Sequence, residues 1–471
     1  MAAVNSILES LRKDPGFMSC VSRWETLEKR SGKFLPFPAD IDPAISGVLK
    51  QRGIEKLYTH QARSYETVRK GKNLLVVTPT ASGKTLCYNL PVLQGLLEDP
   101  EAKGLYLFPT KALAQDQQAE LNEIITAGSL PLKAATYDGD TPQSIRVAAR
   151  ETGRIIITNP DMLHSGILPN HPKWIRFLSR LSYVVIDEIH IYRGIFGSHM
   201  TNVIRRLRRI AEFYGSSPVF IICSATIGNP AELARRILED DVEVVDENGA
   251  PSGEKHVVLY NPPLVDRVQG IRRGVVLESR RLAARFLEKG VKTIVFARSR
   301  VNTELIAGYI NRTLASFYTD NHRIRVESYR GGYLPSERRK IEQGLRDGSI
   351  QGVVSTNALE LGIDIGGLDV SILAGFPGSI ASTWQQAGRA GRRNTTSLVI
   401  LVASAAPVDQ YLVTHPDYLF GASPESAYID PDNLFILISH LKCALFELPF
   451  KAGSDFGGPA DELLSYLEEE G

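Results

Sequence analysis

Only four cysteines occur among the 471 residues, and Cys20, Cys87, Cys223 and Cys443 lie far apart, none in a CxxC pair. That spacing excludes a disulfide-stapled scaffold and gives no structural zinc within the chain. Cys87 and Cys223 stand inside apolar stretches and are expected to behave as small core residues. Long hydrophobic runs are also missing. No stretch approaches the roughly 18 apolar residues that a membrane span needs, so no membrane is expected among the partners. The opening MAAVNSILESLRKDPGF carries neither a long apolar segment nor a small-residue cleavage site. A secretory leader is therefore not expected, and a reducing, cytoplasmic compartment is. Charge of one sign is absent too: 54 Lys and Arg oppose 53 Asp and Glu, a net charge of +1. This removes a whole-chain basic footprint but not a locally basic groove. The runs Arg205–Arg206 and Arg208–Arg209 are ambiguous between part of such a groove and a solvated helix face, with the solvated face favoured.

What remains is an ordinary globular composition, 43% hydrophobic and 23% charged, in a chain long enough for two to four domains. Short continuous apolar runs alternate with helical stretches: Asn73–Val77, Leu105–Phe108, Ile155–Thr158, Tyr183–Ile186 and Val219–Cys223. Continuous rather than alternating apolar runs predict strands covered on both faces, as in a parallel sheet flanked by helices. After Val245 a polar stretch with Gly and Pro leads to Asn261–Asp266, read as a strand-bearing linker. The alternation then restarts with Thr293–Ala297, Ile324–Tyr329, Gly352–Ser355, Val370–Ala374 and Leu398–Ala403. The expected fold class is α/β, with two tandem parallel-sheet domains over 51–250 and 251–420. Residues 1–50 read as an N-terminal accessory segment and 421–471 as the start of a helical C-terminal accessory region.

The chemistry is concentrated in a few segments. TPTASGKT, Thr78 to Thr85, follows an apolar strand and opens a helical stretch. Backbone N–H groups at a helix start converge on an anion, and the helix dipole favours negative charge there. Thr78, Pro79, Thr80, Ala81, Ser82 and Gly83 would cradle phosphates, Lys84 would neutralise their β/γ oxygens, and the Thr85 hydroxyl would hold Mg²⁺. A second apolar strand ends in Asp187-Glu188-Ile189-His190. Carboxylates at the C-terminal end of a strand lie where a phosphate loop also sits in an open α/β sheet. Asp187 is placed to hold Mg²⁺, and Glu188 to orient and deprotonate the attacking water. His190 reads either as a coupler to neighbouring motifs or as a hydrogen-bonded turn histidine. In QQAGRAGRR, Arg389 and Arg392 are three apart and share one helix face. Two guanidiniums there would stabilise charge on a γ-phosphate bound by the first half, and hydrolysis would then drive a motor.

In their order from about 58 to 393, these motifs resemble those of the superfamily 2 helicases of the DEAD/DEAH type, whose core is two RecA-like domains. The resemblance implies ATP and Mg²⁺ as cofactors, with Tyr58 and Gln61 in LYTHQ reading adenine. It implies Ser224, Ala225 and Thr226 as the motif that couples hydrolysis to movement. Nucleic-acid contacts would come from Pro109, Thr110 and Lys111, from Asp138–Thr141, and from Thr158, Asn159 and Pro160 in the first half. In the second half they would come from Arg298 and Ser299, Arg330 and Gly331, and Thr356 and Asn357. Glu360, Gly362 and Asp364 would join the strand site to the nucleotide, with Gln385 near it. RGIEKLYTHQ, ATYDGDTP, NALELGIDIGGLD and WQQAGRAGRR, with DPDNLF at Asp430–Phe435 and LKCALFELP at Leu441–Pro449, are similar to the MrfA-type bacterial DNA repair helicases and their RecQ-four-like fungal relatives. That group implies a monomeric 3′→5′ DNA helicase or translocase on single-stranded or tailed DNA, in repair that includes crosslinks. RNA remodelling and an ATP-gated clamp stay open. The group's C-terminal four-cysteine zinc domain has no counterpart here, as in a truncated chain or a natural short form. Between LGIDIGGLD and QQAGRAGRR there is little room for a long strand-separating hairpin, which leaves Phe376 and Trp384 as stacking candidates or core residues.

Overall fold

The structure, a computed structural model, describes residues 2–315, 324–363, 365–391, 395–451, 456–458 and 460–470. Two compact units emerge, and neither is a continuous stretch of chain. One comprises Phe34–Thr78, Gly83–Gly249 and Ser426–Gly471; the other comprises Met1–Lys33, Pro79–Ser82 and Ala250–Glu425.

The first unit is built on seven strands in the order Glu243–Val245, Leu74–Val77, Val219–Ser224, Leu181–Ile186, Lys103–Leu107, Ile155–Thr158 and Ala134–Thr136. Every neighbouring pair is parallel. Leu74–Val77 and Ile155–Thr158 are buried at every position, as their uninterrupted Val, Leu and Ile content requires of strands covered on both faces. Because all seven run the same way, their C-terminal ends, where the chemistry-bearing loops begin, lie along one edge.

The second unit repeats this plan with one difference. Lys255–Tyr260, Ser397–Val402, Val370–Ala374, Thr293–Ala297, Gly352–Ser355 and Val326–Tyr329 are parallel neighbours in that order. An antiparallel strand, Val21–Leu27, closes the edge beside Lys255–Tyr260. The region read as a strand-bearing linker does carry a strand, and that strand is part of the second sheet rather than of a linker. Its polar approach, DENGAPSGEK, hides the five-residue buried run His256–Tyr260 that follows.

The accessory segments are absorbed into the two cores. Val4, Ile7, Leu8 and Leu11 of the helix Ala2–Arg12 pack with Val258, Leu398 and Ile400. Ile41, Ile45, Val48 and Leu49 instead join the core of the first sheet. At the other end, the helix Leu434–Glu447 lies against Gly194–Phe213 of the first unit. The fixings are polar as well as apolar. Asn202 donates to the Pro431 carbonyl, Arg236 to the Ile429 carbonyl, and Asn229 exchanges hydrogen bonds with both backbone groups of Ala427.

This corrects the reading of Arg205–Arg206 as a solvated face. Arg206 is fully buried and forms a bidentate pair with the equally buried Glu447, with Nε donating over 2.9 Å. Arg205 is buried between Glu239 and Asp432. The carboxylate partners lie more than 200 residues away in the case of Asp432 and Glu447, so local charge patterning could not announce them. Cys87 and Cys223 are buried as expected. Phe376 is buried among Leu373, Ile380 and Ala387, and Trp384 packs edge-on to Phe420, so both belong to the core. No helix among the described residues is long and apolar enough to cross a membrane.

Candidate active site and nucleic-acid interface

The phosphate loop leaves the end of Leu74–Val77 and enters the helix Thr85–Glu98. Two of its residues take left-handed backbone, Ala81 at φ 61° and Gly83 at φ 81°. A side chain at position 83 would put its Cβ 2.8 Å from Gln61 Nε2, so glycine is required both by conformation and by space. Gln61 is fixed at both ends of its amide: Oε1 accepts from the Tyr58 N–H at 2.9 Å, and Nε2 donates to the Gly83 carbonyl at 2.9 Å. The Tyr58 and Gln61 motif is thus bonded directly to the loop. Lys84 Nζ donates to the Thr78 carbonyl at 2.8 Å and to the Ser224 carbonyl at 3.3 Å, which aims the ammonium over the strand ends.

Asp187 and Glu188 follow Leu181–Ile186, the strand two places from the loop strand. Both are buried. Glu188 adopts φ 53°, a strained conformation for a side chain with a Cβ, and its N–H donates to Asp187 Oδ1 at 2.8 Å. Burial, and next the Glu188 charge, push the Asp187 carboxyl up to about 7, with Lys84 opposing. Glu188 Oε2 is buried with no hydrogen-bond partner. A carboxylate pair kept dry with so little neutralisation is a natural seat for a cation. Among the described residues no three His, Cys, Asp or Glu side chains converge on a metal. That donor set fits Mg²⁺, which takes one or two protein oxygens and draws the rest from phosphates and water. Asp187 and the Thr85 hydroxyl would hold it. His190 Nδ1 accepts the Ala225 N–H at 3.2 Å, so this ring joins the DEIH turn to Ser224-Ala225-Thr226. Burial, foremost, lowers its pKa and keeps the ring neutral. Thr226 itself is exposed.

The other expected contacts of the first unit gather at the same edge of its sheet. Thr110 caps the helix Lys111–Ala127 by accepting from the Leu113 N–H at 3.3 Å, and Pro109 precedes it. Lys111 pairs with Asp140 at 2.8 Å. Asn159 caps the turn begun by Pro160, and Thr158 donates to the Tyr137 carbonyl. These helix starts present backbone N–H groups suited to phosphate oxygens.

In the second unit, Ser299 Oγ accepts from the Asn302 N–H, Arg298 is exposed, and Thr356 caps the turn Asn357–Leu359. Arg330 bonds Glu304 at 3.0 Å and lies over the Tyr333 ring, while Gly331 has open space where a Cβ would stand. Arg389 donates to the carbonyls of Ile363 and Glu360, and Gln386 donates to the Glu360 carboxylate. The QQAGRAGRR segment is thereby tied to NALELGIDI on either side of Gly362, and the neighbouring Gln385 is buried. Asp364 and Arg392 lie outside the described residues.

Two supporting residues were not singled out in the sequence. Lys255, partly buried, donates to the carbonyls of Ala387 and Ala390 and so caps the helix Ile380–Ala387; desolvation holds its pKa down to about 8. Only the three-dimensional fold brings it there. Phe34 is half exposed and stands 5.3 Å from the Tyr58 ring, on a short strand paired with Leu57–Tyr58. An aromatic in KFLPFP was the available signal.

Comparison with known proteins agrees with this geometry. A DEAD/DEAH box helicase family model matches residues 58–233, and a helicase conserved C-terminal domain model matches 278–394. The chain is 56% identical to an uncharacterized ATP-dependent helicase, YprA, of Bacillus subtilis over 451 residues, which is 96% of this chain and 60% of that protein. It is 40% identical to the ATP-dependent helicase HRQ1 of Saccharomyces cerevisiae, over 97% of this chain and 43% of that one. The crystal structure of the DUF1998 helicase MrfA bound to DNA and AMPPNP matches with a TM-score of 0.94 at 54% identity, covering 99% of this chain and 64% of that one. The chain thus spans between two fifths and two thirds of the length of these relatives. With its motifs on two tandem parallel sheets of RecA-like type, the chain belongs to the superfamily 2 helicases and closely matches the fold of MrfA.

Proposed function

We propose that this protein is an ATP-dependent DNA helicase or translocase that hydrolyses ATP with Mg²⁺ and moves 3′→5′ on single-stranded DNA, in DNA repair that includes crosslinks. The observation that carries the ATPase reading is the arrangement at the first sheet's edge, where Lys84 spans Thr78 and Ser224 beside the buried Asp187 and Glu188. Mg²⁺, when bound, supplies charge to the developing phosphate oxygens. Glu188 takes the proton of the attacking water, and its Oε2, buried without a hydrogen bond and 3.5 Å from His190 Nδ1, is the available acceptor. His190 relays the state of this turn to Ala225. Arg389 and Arg392 are assigned to transition-state charge on the γ-phosphate by the resemblance of their motif and not by a shared helix face, since the helix Ile380–Ala387 ends before Arg389. DNA as the polymer, the direction of travel and the role in repair rest on similarity to the MrfA group. A cytoplasmic, monomeric protein is the corresponding expectation.

The test is steady-state ATP hydrolysis without polymer, then with single-stranded DNA, single-stranded RNA and duplex DNA of matched length at fixed salt. Strong stimulation by single-stranded DNA supports the reading, and strand displacement on 3′- and 5′-tailed duplexes then fixes direction. Stimulation by RNA alone moves the protein to RNA remodelling. No stimulation by any polymer overturns the motor reading for this chain.

A further inference from the structure

A two-stranded hairpin, Leu264–Asp266 with Ile271–Arg272, stands out from the second unit with four aliphatic side chains in water. Val268 is 96% exposed, Val265 60%, Ile271 47% and Leu264 42%. Its root is fastened. Arg272 donates to the Pro262 carbonyl, the Arg273 N–H to the Pro263 carbonyl, and the Arg273 guanidinium to buried Glu278. Its tip is turned by Asp266, which accepts from the Val268 and Gln269 N–H groups, and by Gly270 at φ 67°. Arg267 on the tip is exposed. None of this serves the core, and exposed aliphatics on a fixed turn are costly to keep without a use.

The hairpin's place says what that use is. It leaves the C-terminal end of Lys255–Tyr260, and that strand runs parallel to those ending at Arg298, Arg330 and Thr356. All four positions therefore share one edge of the sheet. Three strand spacings separate the hairpin's strand from the one ending at Arg298, about 14 Å at the usual interval. A second feature sits beside it. Asn261, at the root, exchanges hydrogen bonds with Gln410 of the helix Pro407–Thr414. That helix begins a stacked aromatic surface: Tyr411 lies 4.2 Å from the His415 ring and edge-on to Tyr418, and both tyrosines are about half exposed. An apolar tip, a cation and exposed ring faces, at the end of a row of phosphate-binding positions, match the end of a base-paired duplex rather than an apolar protein surface.

We infer that the hairpin 264–272 is the element that parts the strands: Val265 and Val268 abut the last base pair while Tyr411 and His415 receive an unstacked base. The inference rests on the helicase reading above. It also accounts for the missing room between Val370 and Trp384 and for the burial of Phe376.

The test compares the full chain with Val265→Ser/Val268→Ser and with Tyr411→Ala, using single-stranded DNA for ATP hydrolysis and a tailed duplex for displacement. Polymer-stimulated hydrolysis is expected within twofold of the parent, with displacement reduced tenfold or more for the hairpin variant and severalfold for Tyr411→Ala. Unchanged displacement in both overturns the inference. Equal loss of hydrolysis and displacement, in a variant whose melting temperature is retained, also overturns it, because the hairpin would then serve coupling. Tight binding of the hairpin to a protein surface that leaves displacement intact when mutated would do the same. A parent chain with no polymer-stimulated hydrolysis refutes the helicase reading itself, a result independent of either variant.

Discussion

The two sheets have the same number of strands and nearly the same build, but their strand ends carry different groups. The first ends in a lysine, two buried carboxylates and a neutral histidine, packed so tightly that Glu188 is held in a left-handed backbone. The second ends in the exposed Arg298, the partly exposed Arg330 and capping hydroxyls, with Arg389 drawn onto the carbonyls of the adjacent motif. A desolvated charge interacts strongly and cannot adapt, whereas an exposed one interacts weakly and can slide along a polymer. On the function proposed above, chemistry and tracking would occupy the same fold twice, separated by burial.

Removing charge from the buried side should have the largest effect. Lys84→Ala should abolish hydrolysis while leaving strand binding in place, checked by turnover and by fluorescence anisotropy with labelled single-stranded DNA. In the QQAGRAGRR motif, Arg392→Ala should lower kcat by about 10³-fold with a much smaller change in nucleotide affinity. Equal losses in both would make it a ground-state contact and blur the division. The units can also be separated by stability. Glu447→Ala leaves Arg206 buried and unpaired, at a cost of about 3–5 kcal/mol, while replacing both by leucine should recover most of it in denaturant unfolding.

The smallest effect expected is a difference in acid response. Burial, then the Arg206 charge, push His440 of the first unit down to about 3. Its unfolded value is higher, so the unfolded chain takes up the proton first. Stability from this group is complete above about 6.5 and falls as pH drops below that, by about 2 kcal/mol at pH 5. In the second unit burial works to raise Glu278, but bonds from Arg281 and the Tyr260 hydroxyl outweigh it and lower its pKa. Its contribution is intact until the pH falls below the ordinary glutamate range. Calorimetry at pH 5 should therefore show the first unit melting earlier, and His440→Leu should shrink the gap.

Legibility in the sequence followed how local each cause was. Strands such as Ile155–Thr158, Thr293–Ala297 and Val370–Ala374 were read to the residue, because a doubly covered strand must be apolar throughout. Thr78–Thr85 and Asp187–His190 were legible because phosphate and metal chemistry fixes residue types at short spacing. Lys255 under the helix Ile380–Ala387 and Glu447 against Arg206 were not, since each answers a partner more than 130 residues away. The strand Lys255–Tyr260 was expected only within a strand-bearing linker because of its polar approach, and Val21–Leu27, with no fully buried position at the sheet edge, lacks the continuous apolar signature.

The pairing of Val21–Leu27 with Lys255–Tyr260 bears on how the chain is made. Trp24 meets Val258 across the sheet, and every residue of the first sheet lies between them in sequence. At ribosomal speeds of about 5–20 residues per second, the N-terminal helix and strand wait roughly 10–50 s for their partner. Through that interval Val4, Ile7, Leu8 and Leu11 have no core to enter, so residues made well before the second sheet are among the last to be sheltered. A nascent chain stalled near residue 250 should expose that helix to chaperones and proteases while the first sheet beside it is already folding.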